Sequence, residues 1–61
     1  DKPFIYVFKE DDRDVMLAHG YRLLKSDNNN NIFIFEKSDT EYEKLGVTFI
    51  LSNTLTFGLE P

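Results

Sequence analysis

The chain has 61 residues, no cysteine and a net charge of −4, from eleven acidic and seven basic side chains. This length predicts one domain, near the lower limit for unaided folding, and the lack of cysteine excludes disulfides and thiolate metal sites. The acidic balance argues against non-specific binding to nucleic acid or anionic membranes, because it supplies no excess positive field. Six Phe and three Tyr provide the apolar area for a dense core.

The sequence also predicts where the protein works. No run approaches the ~20 apolar residues of a membrane span. The opening segment DKPFIYVFKE has neither the basic region nor the small-residue cleavage site of a signal peptide. Because a lack of cysteine also fits a reducing compartment, we expect a soluble protein of the cytoplasm that does not bind membranes.

The first part of the chain predicts a strand followed by a short helix. Phe4–Phe8 is a β-branched and aromatic run of strand length. Acidic residues then precede an apolar segment that ends in His19 and Gly20, which is the polarity of a helix. Asp11 is the predicted N-cap and Gly20 the left-handed residue after the helix. Such a short helix requires a sheet to pack on.

The middle of the chain predicts a hairpin. Tyr21–Lys25 is the second predicted strand and Asn31–Lys37 the third. Ser26–Asn30 lies between them and has turn chemistry, because Asn and Asp tolerate positive φ and bind local backbone groups. With no glycine in this segment, a loop of about four to six residues built on a type I turn is favoured over a two-residue turn.

The last third predicts a helical turn and a fourth strand. A Ser-x-x-Glu capping box runs from Ser38 to Glu41, and Gly46 follows the last apolar residue of this segment. Residues 47–51 form the fourth predicted strand, with Val47, Phe49 and Leu51 on one face. Residues 54–57 alternate with period two, as a short fifth strand or an extended tail would.

The order β-α-β-β-turn-β predicts a single α+β domain over residues 1–61. We expect a small, mainly antiparallel sheet of four to five strands with one short helix on one face. The helix could belong to a crossover between the first two strands, or it could lead into an antiparallel neighbour. The sequence leaves this choice and the strand order open.

The feature that suggests an interaction partner is a predicted sheet that is apolar on both faces. The first and third predicted strands, FIYVF and IFIF, place apolar side chains on either side, whereas one helix covers one face. The opposite face could be covered by the turn at 39–45, with Tyr42 and Leu45, or by the tail, with Leu55, Phe57 and Leu59. Alternatively, a second copy or a partner covers it, since large exposed apolar patches mark interaction sites and a small chain gains stability by dimerising.

Enzymatic and metal chemistry have no positive support. The acidic run Glu10–Asp14 lacks the glycine of a calcium loop, because Met16 occupies the sixth position counted from Asp11. Magnesium held by neighbouring carboxylates is a weaker alternative to acids that favour a helix N-terminus. His19, the single histidine, is placed to interact with the last helical carbonyls. We therefore predict a non-enzyme without catalytic, cofactor or metal residues.

Three segments, FIYVF, GYRLLKSDNNNNIFIFE and SNTLTF, resemble small proteins of unknown function encoded by phages and prophages of Gram-positive bacteria. In those proteins a strand, a short helix ending in Gly-Tyr and an apolar hairpin follow in this order. The resemblance extends from Pro3 to Phe57 and brings no catalytic residues. It implies a small cytoplasmic protein of a mobile element that acts by contact with another macromolecule.

These observations predict an interaction protein that acts through an apolar sheet face or a strand edge, as a homodimer or with an unknown protein partner. The predicted interaction residues are Tyr6, Phe8, Tyr21, Arg22, Phe33 and Phe35. Two alternatives remain. One is a nucleic-acid-binding regulator that uses Tyr21, Arg22 and Lys25. The other is an acidic inhibitor that mimics DNA with Asp11, Asp12, Asp14, Glu41 and Glu43.

Overall fold

The structure is a computed structural model, and it describes residues 2–54. In chain order its elements are strand β1 (Phe4–Val7), helix α1 (Glu10–Ala18), strand β2 (Leu23–Asp27), strand β3 (Ile32–Glu36), a 3₁₀ helix (Glu41–Lys44) and strand β4 (Phe49–Ser52). The predicted α+β class is confirmed, with four strands in the described part. Apart from Thr54, the segment predicted as a fifth strand or tail lies outside the described residues.

The four strands form one antiparallel sheet in the order β2-β3-β1-β4. Strand β1 pairs with β3 on one side and with β4 on the other, and β2 pairs with β3. Because β3 runs antiparallel to both β1 and β2, these two strands point the same way. Helix α1 therefore belongs to a crossover connection, which decides between the two alternatives that the sequence leaves open.

The hydrophobic core lies on one face of the sheet, here called the core face. Strand β1 contributes Ile5 and Val7 to it and β3 contributes Phe33 and Phe35, all four fully buried. Met16 of α1 packs against these side chains, so the predicted packing of the helix on the sheet is confirmed. Partly buried apolar side chains complete the cluster, namely Leu23, Leu45, Val47, Phe49 and Leu51.

Helix α1 ends as predicted but begins two residues earlier, because its N-cap is Lys9 rather than Asp11. Gly20 follows the helix with φ 86°, the left-handed conformation that glycine adopts without a Cβ penalty. At the other end Lys9 is the N-cap residue, with extended backbone and no side-chain cap. The prediction that Asp11 caps the helix is wrong, because the extended backbone continues to Lys9 and places Asp11 inside the first turn.

The loop of the hairpin has the predicted turn chemistry, but it lies later in the chain than predicted. Strand β2 extends to Asp27, two residues beyond its predicted end, and residues 28–31 form the loop. Asp27 holds this loop together: its carbonyl accepts a hydrogen bond from the Asn30 N–H at 3.2 Å, and its Oδ2 accepts one from Asn30 Nδ2 at 2.8 Å. Asn31 has φ 55°, a conformation that asparagine tolerates.

The predicted helical turn is the 3₁₀ helix, and its cap differs from the prediction. Asp39, not Ser38, accepts a hydrogen bond from the Glu41 N–H through Oδ1, at 3.0 Å. The Ser38 capping box is therefore wrong, because the carboxylate of Asp39 binds the backbone donor. Gly46 follows with φ 77°. Strand β4 begins at Phe49 rather than at Val47.

The 3₁₀ helix lies on the core face. Strands β3 and β4 both run antiparallel to β1 and flank it, so their connection must cross one face of the sheet. The Tyr42 ring is buried and meets the Phe49 ring edge-on at 4.9 Å, and Leu45 packs against the same cluster. The alternative in which Tyr42 and Leu45 cover the opposite face is therefore wrong.

Candidate interaction surface

The face of the sheet opposite the core, here called the second face, is also apolar. Because side chains alternate along a strand, Tyr6, Ile34 and Ile50 lie on this face, and Tyr6 is paired with Ile34 on one side and with Ile50 on the other. Ile34 is fully buried, Tyr6 is half-buried and Ile50 is 59% exposed. Exposure in this row therefore increases from β3 to the edge strand β4. The prediction that the first and third strands are apolar on both faces is confirmed.

Phe8 adds a second exposed apolar side chain beside this row. It follows β1 directly, is 36% exposed, and its ring centroid lies 6.5 Å from that of Tyr6. The exposed apolar surface of the second face thus lies on the β1 and β4 side of the sheet.

The chain turns onto the second face after β4. The Thr54 N–H donates to Ser52 Oγ at 3.1 Å, and the Tyr6 hydroxyl donates to the Thr54 carbonyl oxygen at 2.7 Å. Since Tyr6 belongs to the neighbouring strand β1, the backbone moves inward over the sheet rather than along the outer side of β4. The side chains predicted to cover this face from the tail, Leu55, Phe57 and Leu59, lie outside the described residues.

The two edge strands differ in how they are protected. Strand β2 carries Lys25 and Asp27, and its register with β3 shifts between Leu23 and Lys25. Charges and irregularities of this kind block the addition of another strand. Strand β4 pairs with β1 without a shift, and the sequence from Val47 to Thr54 contains neither a charge nor a proline. Within residues 2–54, no strand pairs with the outer edge of β4.

The six residues predicted for interaction do not form one surface. Phe33 and Phe35 are fully buried in the core and Tyr21 is almost so. They have no surface to offer a partner, which corrects the sequence prediction. Arg22 is exposed beside β2, whereas Tyr6 and Phe8 lie on the second face, near β4. Ile50 was not among the predicted interaction residues, although its position between Phe49 and Leu51, which face the core, signals an apolar residue on the opposite face.

Tyr21 is a structural residue whose hydroxyl donates a hydrogen bond to Asp39 Oδ1. Burial, the Asp39 hydrogen bond and its negative charge raise the pKa of Tyr21 to about 12. The same hydrogen bond, together with the one from the Glu41 N–H, lowers the pKa of Asp39 below its ordinary value. Because this pair joins the start of β2 to the 3₁₀ helix, Tyr21 is not available to a nucleic acid.

We predict that Tyr21→Phe lowers the free energy of unfolding by about 1 kcal/mol, because the hydroxyl is removed and the Asp39 carboxylate loses its donor. The pKa of Tyr21 in the folded state is higher than the ordinary value of 10.0. Its contribution to the free energy of unfolding is therefore present below pH 10 and is lost as the pH rises towards 12. Asp39 has a lowered pKa, so its contribution is present above the ordinary value of 3.8 and is lost as the pH falls. Urea unfolding of both proteins across this range measures the difference.

Tyr6→Phe is the matched control for this measurement. It removes a hydroxyl that is bonded to the neutral carbonyl of Thr54. Because a backbone carbonyl does not titrate, the loss of this hydrogen bond should not itself depend on pH between neutral and acid conditions. An equal acid dependence in both variants would contradict the role assigned to Asp39.

The structure does not bring together all the residues of either alternative surface, the basic one for nucleic acid or the acidic one that mimics DNA. Tyr21 is buried, so the basic surface of Tyr21, Arg22 and Lys25 is not formed. Asp12 is half-buried and its Oδ2 accepts a hydrogen bond from the Thr48 N–H at 3.2 Å. Asp12 therefore joins α1 to the start of β4, while the other acidic candidates are exposed, namely Asp11, Asp14, Glu41 and Glu43.

One depression lies on the surface of the described residues. A shallow depression of about 460 Å³ opens between the end of β1 and the hairpin loop, lined by Phe8, Lys9, Glu10, Asp11 and Asn31. In the described part of the chain, no cluster of three or more His, Asp or Glu residues is placed to hold a metal ion. No helix between residues 2 and 54 is long and apolar enough to cross a membrane.

Fold and surface together define a small α+β protein with a helix-covered core face, a second apolar face and one edge strand, β4, that no strand within residues 2–54 covers. No protein-family model matches the chain, and neither does any curated protein or solved structure.

Proposed function

We propose that this chain is a small non-enzymatic protein-interaction module. Its binding surface consists of the exposed side of the second face, with Tyr6, Phe8 and Ile50, and the outer edge of β4. The observation that carries the proposal is the exposure of Ile50 on an edge strand whose own sequence, from Val47 to Thr54, contains no charged residue.

The energetics of such a surface favour a protein segment in extended conformation. A strand that is added to a sheet edge gains main-chain hydrogen bonds, and side chains on alternate positions supply specificity. Ile50 and Phe8 would bury apolar surface against that segment, at roughly 25 cal/mol for each Å² removed from water. Strand β2, the other edge strand, is a poorer binding site than β4, because the charges and the register irregularity of β2 oppose the addition of a strand.

The setting proposed for this module is a phage or another mobile element, in the cytoplasm. It rests on the resemblance of the strand, the helix ending in Gly20-Tyr21 and the apolar hairpin to such proteins. A small protein of this kind would act by occupying the surface of another macromolecule. The composition supports this, because the chain has no cysteine, a single histidine and three glycines that are far apart in sequence.

The test is a capture experiment with matched variants from a lysate of the organism that encodes the chain. Ile50→Lys places a charge on the proposed surface, and Leu17→Lys places the same charge at a comparably exposed position on α1. A protein that is retained by the wild type and by the Leu17 variant, but is lost with the Ile50 variant, supports the proposal. Its binding should then be reproduced with the purified partner. Equal retention by all three proteins would reject this surface.

A further inference from the structure

We infer that the strand that fits the outer edge of β4 is β4 of a second copy of this chain. The two strands would pair antiparallel about a two-fold axis that passes between the two Ile50 residues. This inference rests on the proposed function and names the partner of the same surface.

The hydrogen bonds of the sheet determine which groups of β4 point outward. Lys37 N–H donates to the Pro3 carbonyl at 2.8 Å, so Pro3 directs its hydrogen-bonding group towards β3. Because this direction alternates along an antiparallel strand, Tyr6 directs its backbone groups towards β4. The residue paired with Tyr6 is Ile50, which therefore directs its own N–H and C=O inward.

Phe49 and Leu51 consequently direct their N–H and C=O groups to the open edge. The two residues are placed symmetrically about Ile50, and this symmetry makes the edge self-complementary. In a two-fold pair, Phe49 of one copy lies opposite Leu51 of the other, and each such pair exchanges two hydrogen bonds. Sliding the pairing by two residues in either direction would require Val47 or Asn53, which lie outside β4.

The side chains match in this register as well as the backbone does. Ile50 lies opposite its symmetry mate as a non-hydrogen-bonded pair, in which Cα atoms are about 4.5 Å apart and side chains are closest. On the core face, the partly buried Phe49 meets Leu51 of the second copy. Every cross-strand pair from Phe49 to Leu51 is thus apolar, and the segment from Val47 to Thr54 carries no charge that would face its own copy across the axis.

The described chain leaves this edge accessible and gains from closing it. The hydrogen bond from Tyr6 to the Thr54 carbonyl carries the backbone inward, away from the outer side of β4. A chain of this size has a small core and no disulfide, and association is one of the few ways in which it gains stability. Pairing two β4 strands would extend the sheet from four strands to eight and bury both Ile50 side chains.

Sedimentation of the purified full chain tests the dimer directly. We expect a species of twice the chain mass of 7.2 kDa at submillimolar concentration. Ile50→Lys should raise the dimer dissociation constant by roughly tenfold or more, because like charges directly opposite each other are destabilising. Leu17→Lys, with the same charge on α1, should leave the dissociation constant unchanged.

Disulfide formation tests the register. The chain has no cysteine, so Ile50→Cys creates a unique thiol at the axis. Oxidised glutathione should convert two such thiols into one intersubunit disulfide, itself being reduced to two glutathione molecules, because the expected Cα separation lies within the disulfide range. Leu17→Cys is the control and should form covalent dimer much more slowly.

Three results would overturn the inference. One is a wild-type chain that sediments as a monomer at all concentrations. Another is cross-linking of Ile50→Cys no faster than that of Leu17→Cys. The third is a chain that is monomeric at full length and dimerises only when residues 55–61 are removed. That result would show that these residues, rather than a second copy, occupy the outer edge of β4. If the purified chain is monomeric but captures another protein in an Ile50-dependent way, the interaction module stands and the dimer is rejected.

Discussion

Phe33→Ala is expected to leave the chain largely unfolded at room temperature. Phe33 is fully buried in β3, where Val7 and Ser26 are its cross-strand neighbours and the Arg13 guanidinium lies 5.1 Å above its ring. Truncating a buried Phe to Ala costs about 3–5 kcal/mol. The core of a chain of this size rarely supplies more than about 3–5 kcal/mol of stability. The cavity left by Phe33→Ala therefore costs as much as the whole free energy of unfolding.

Phe8→Ala is the matched control, because it makes the same chemical change at a side chain that is 36% exposed. We expect it to keep the fold and to lose less than about 1 kcal/mol, in the range of partly exposed substitutions. Far-UV circular dichroism and urea unfolding at low protein concentration compare the two variants. Equal midpoints for Phe33→Ala and Phe8→Ala would show that β3 does not carry the core as described.

The elements of this fold are visible in the sequence where local chemistry specifies them. Acidic residues followed by apolar ones, with Gly20 at the end, predict α1 because each of these preferences acts within one or two helical turns. The asparagine loop is equally local, since Asp27 and Asn30 bind each other and Asn31 adopts positive φ. These features need no information from distant parts of the chain.

The sequence predictions are wrong where the structure of a segment depends on residues that are distant in the chain. Ser38 has the better local capping signature, but Asp39 takes this role while also accepting the Tyr21 hydroxyl, from eighteen residues away. The side of the sheet on which Tyr42 lies depends on the face that the connection from β3 to β4 crosses. The strand order makes this crossing necessary, and no short sequence pattern encodes which face is crossed.

The candidate surface was only partly predictable for the same reason. The run Ile32-Phe33-Ile34-Phe35 is apolar at every position, so its sequence does not say which pair faces the helix. The register of β3 with β1 places Phe33 and Phe35 on the core face and leaves Ile34 on the second face. Ile50 was missed because its exposure follows from the edge position of β4, a property of the whole sheet.

Ile34→Lys is expected to unfold the chain, whereas Ile50→Lys should not. Both residues are isoleucines on the second face, and both are paired with Tyr6. Ile34 is fully buried and lies opposite Lys25 of β2, so a second ammonium there would lose its water and face a like charge. An uncompensated buried charge costs about 3–5 kcal/mol, which is comparable with the total stability of such a chain.

The comparison measures how burial is distributed across the second face. Urea unfolding at low protein concentration should show Ile34→Lys without a cooperative transition and Ile50→Lys near the wild-type midpoint. A folded Ile34 variant would mean that the second face is open at β3 as well, and the binding surface would then extend over the whole sheet. Loss of folding in the Ile34 variant alone would restrict the surface to β4 and its edge, where an isoleucine that the fold does not require is left for a partner.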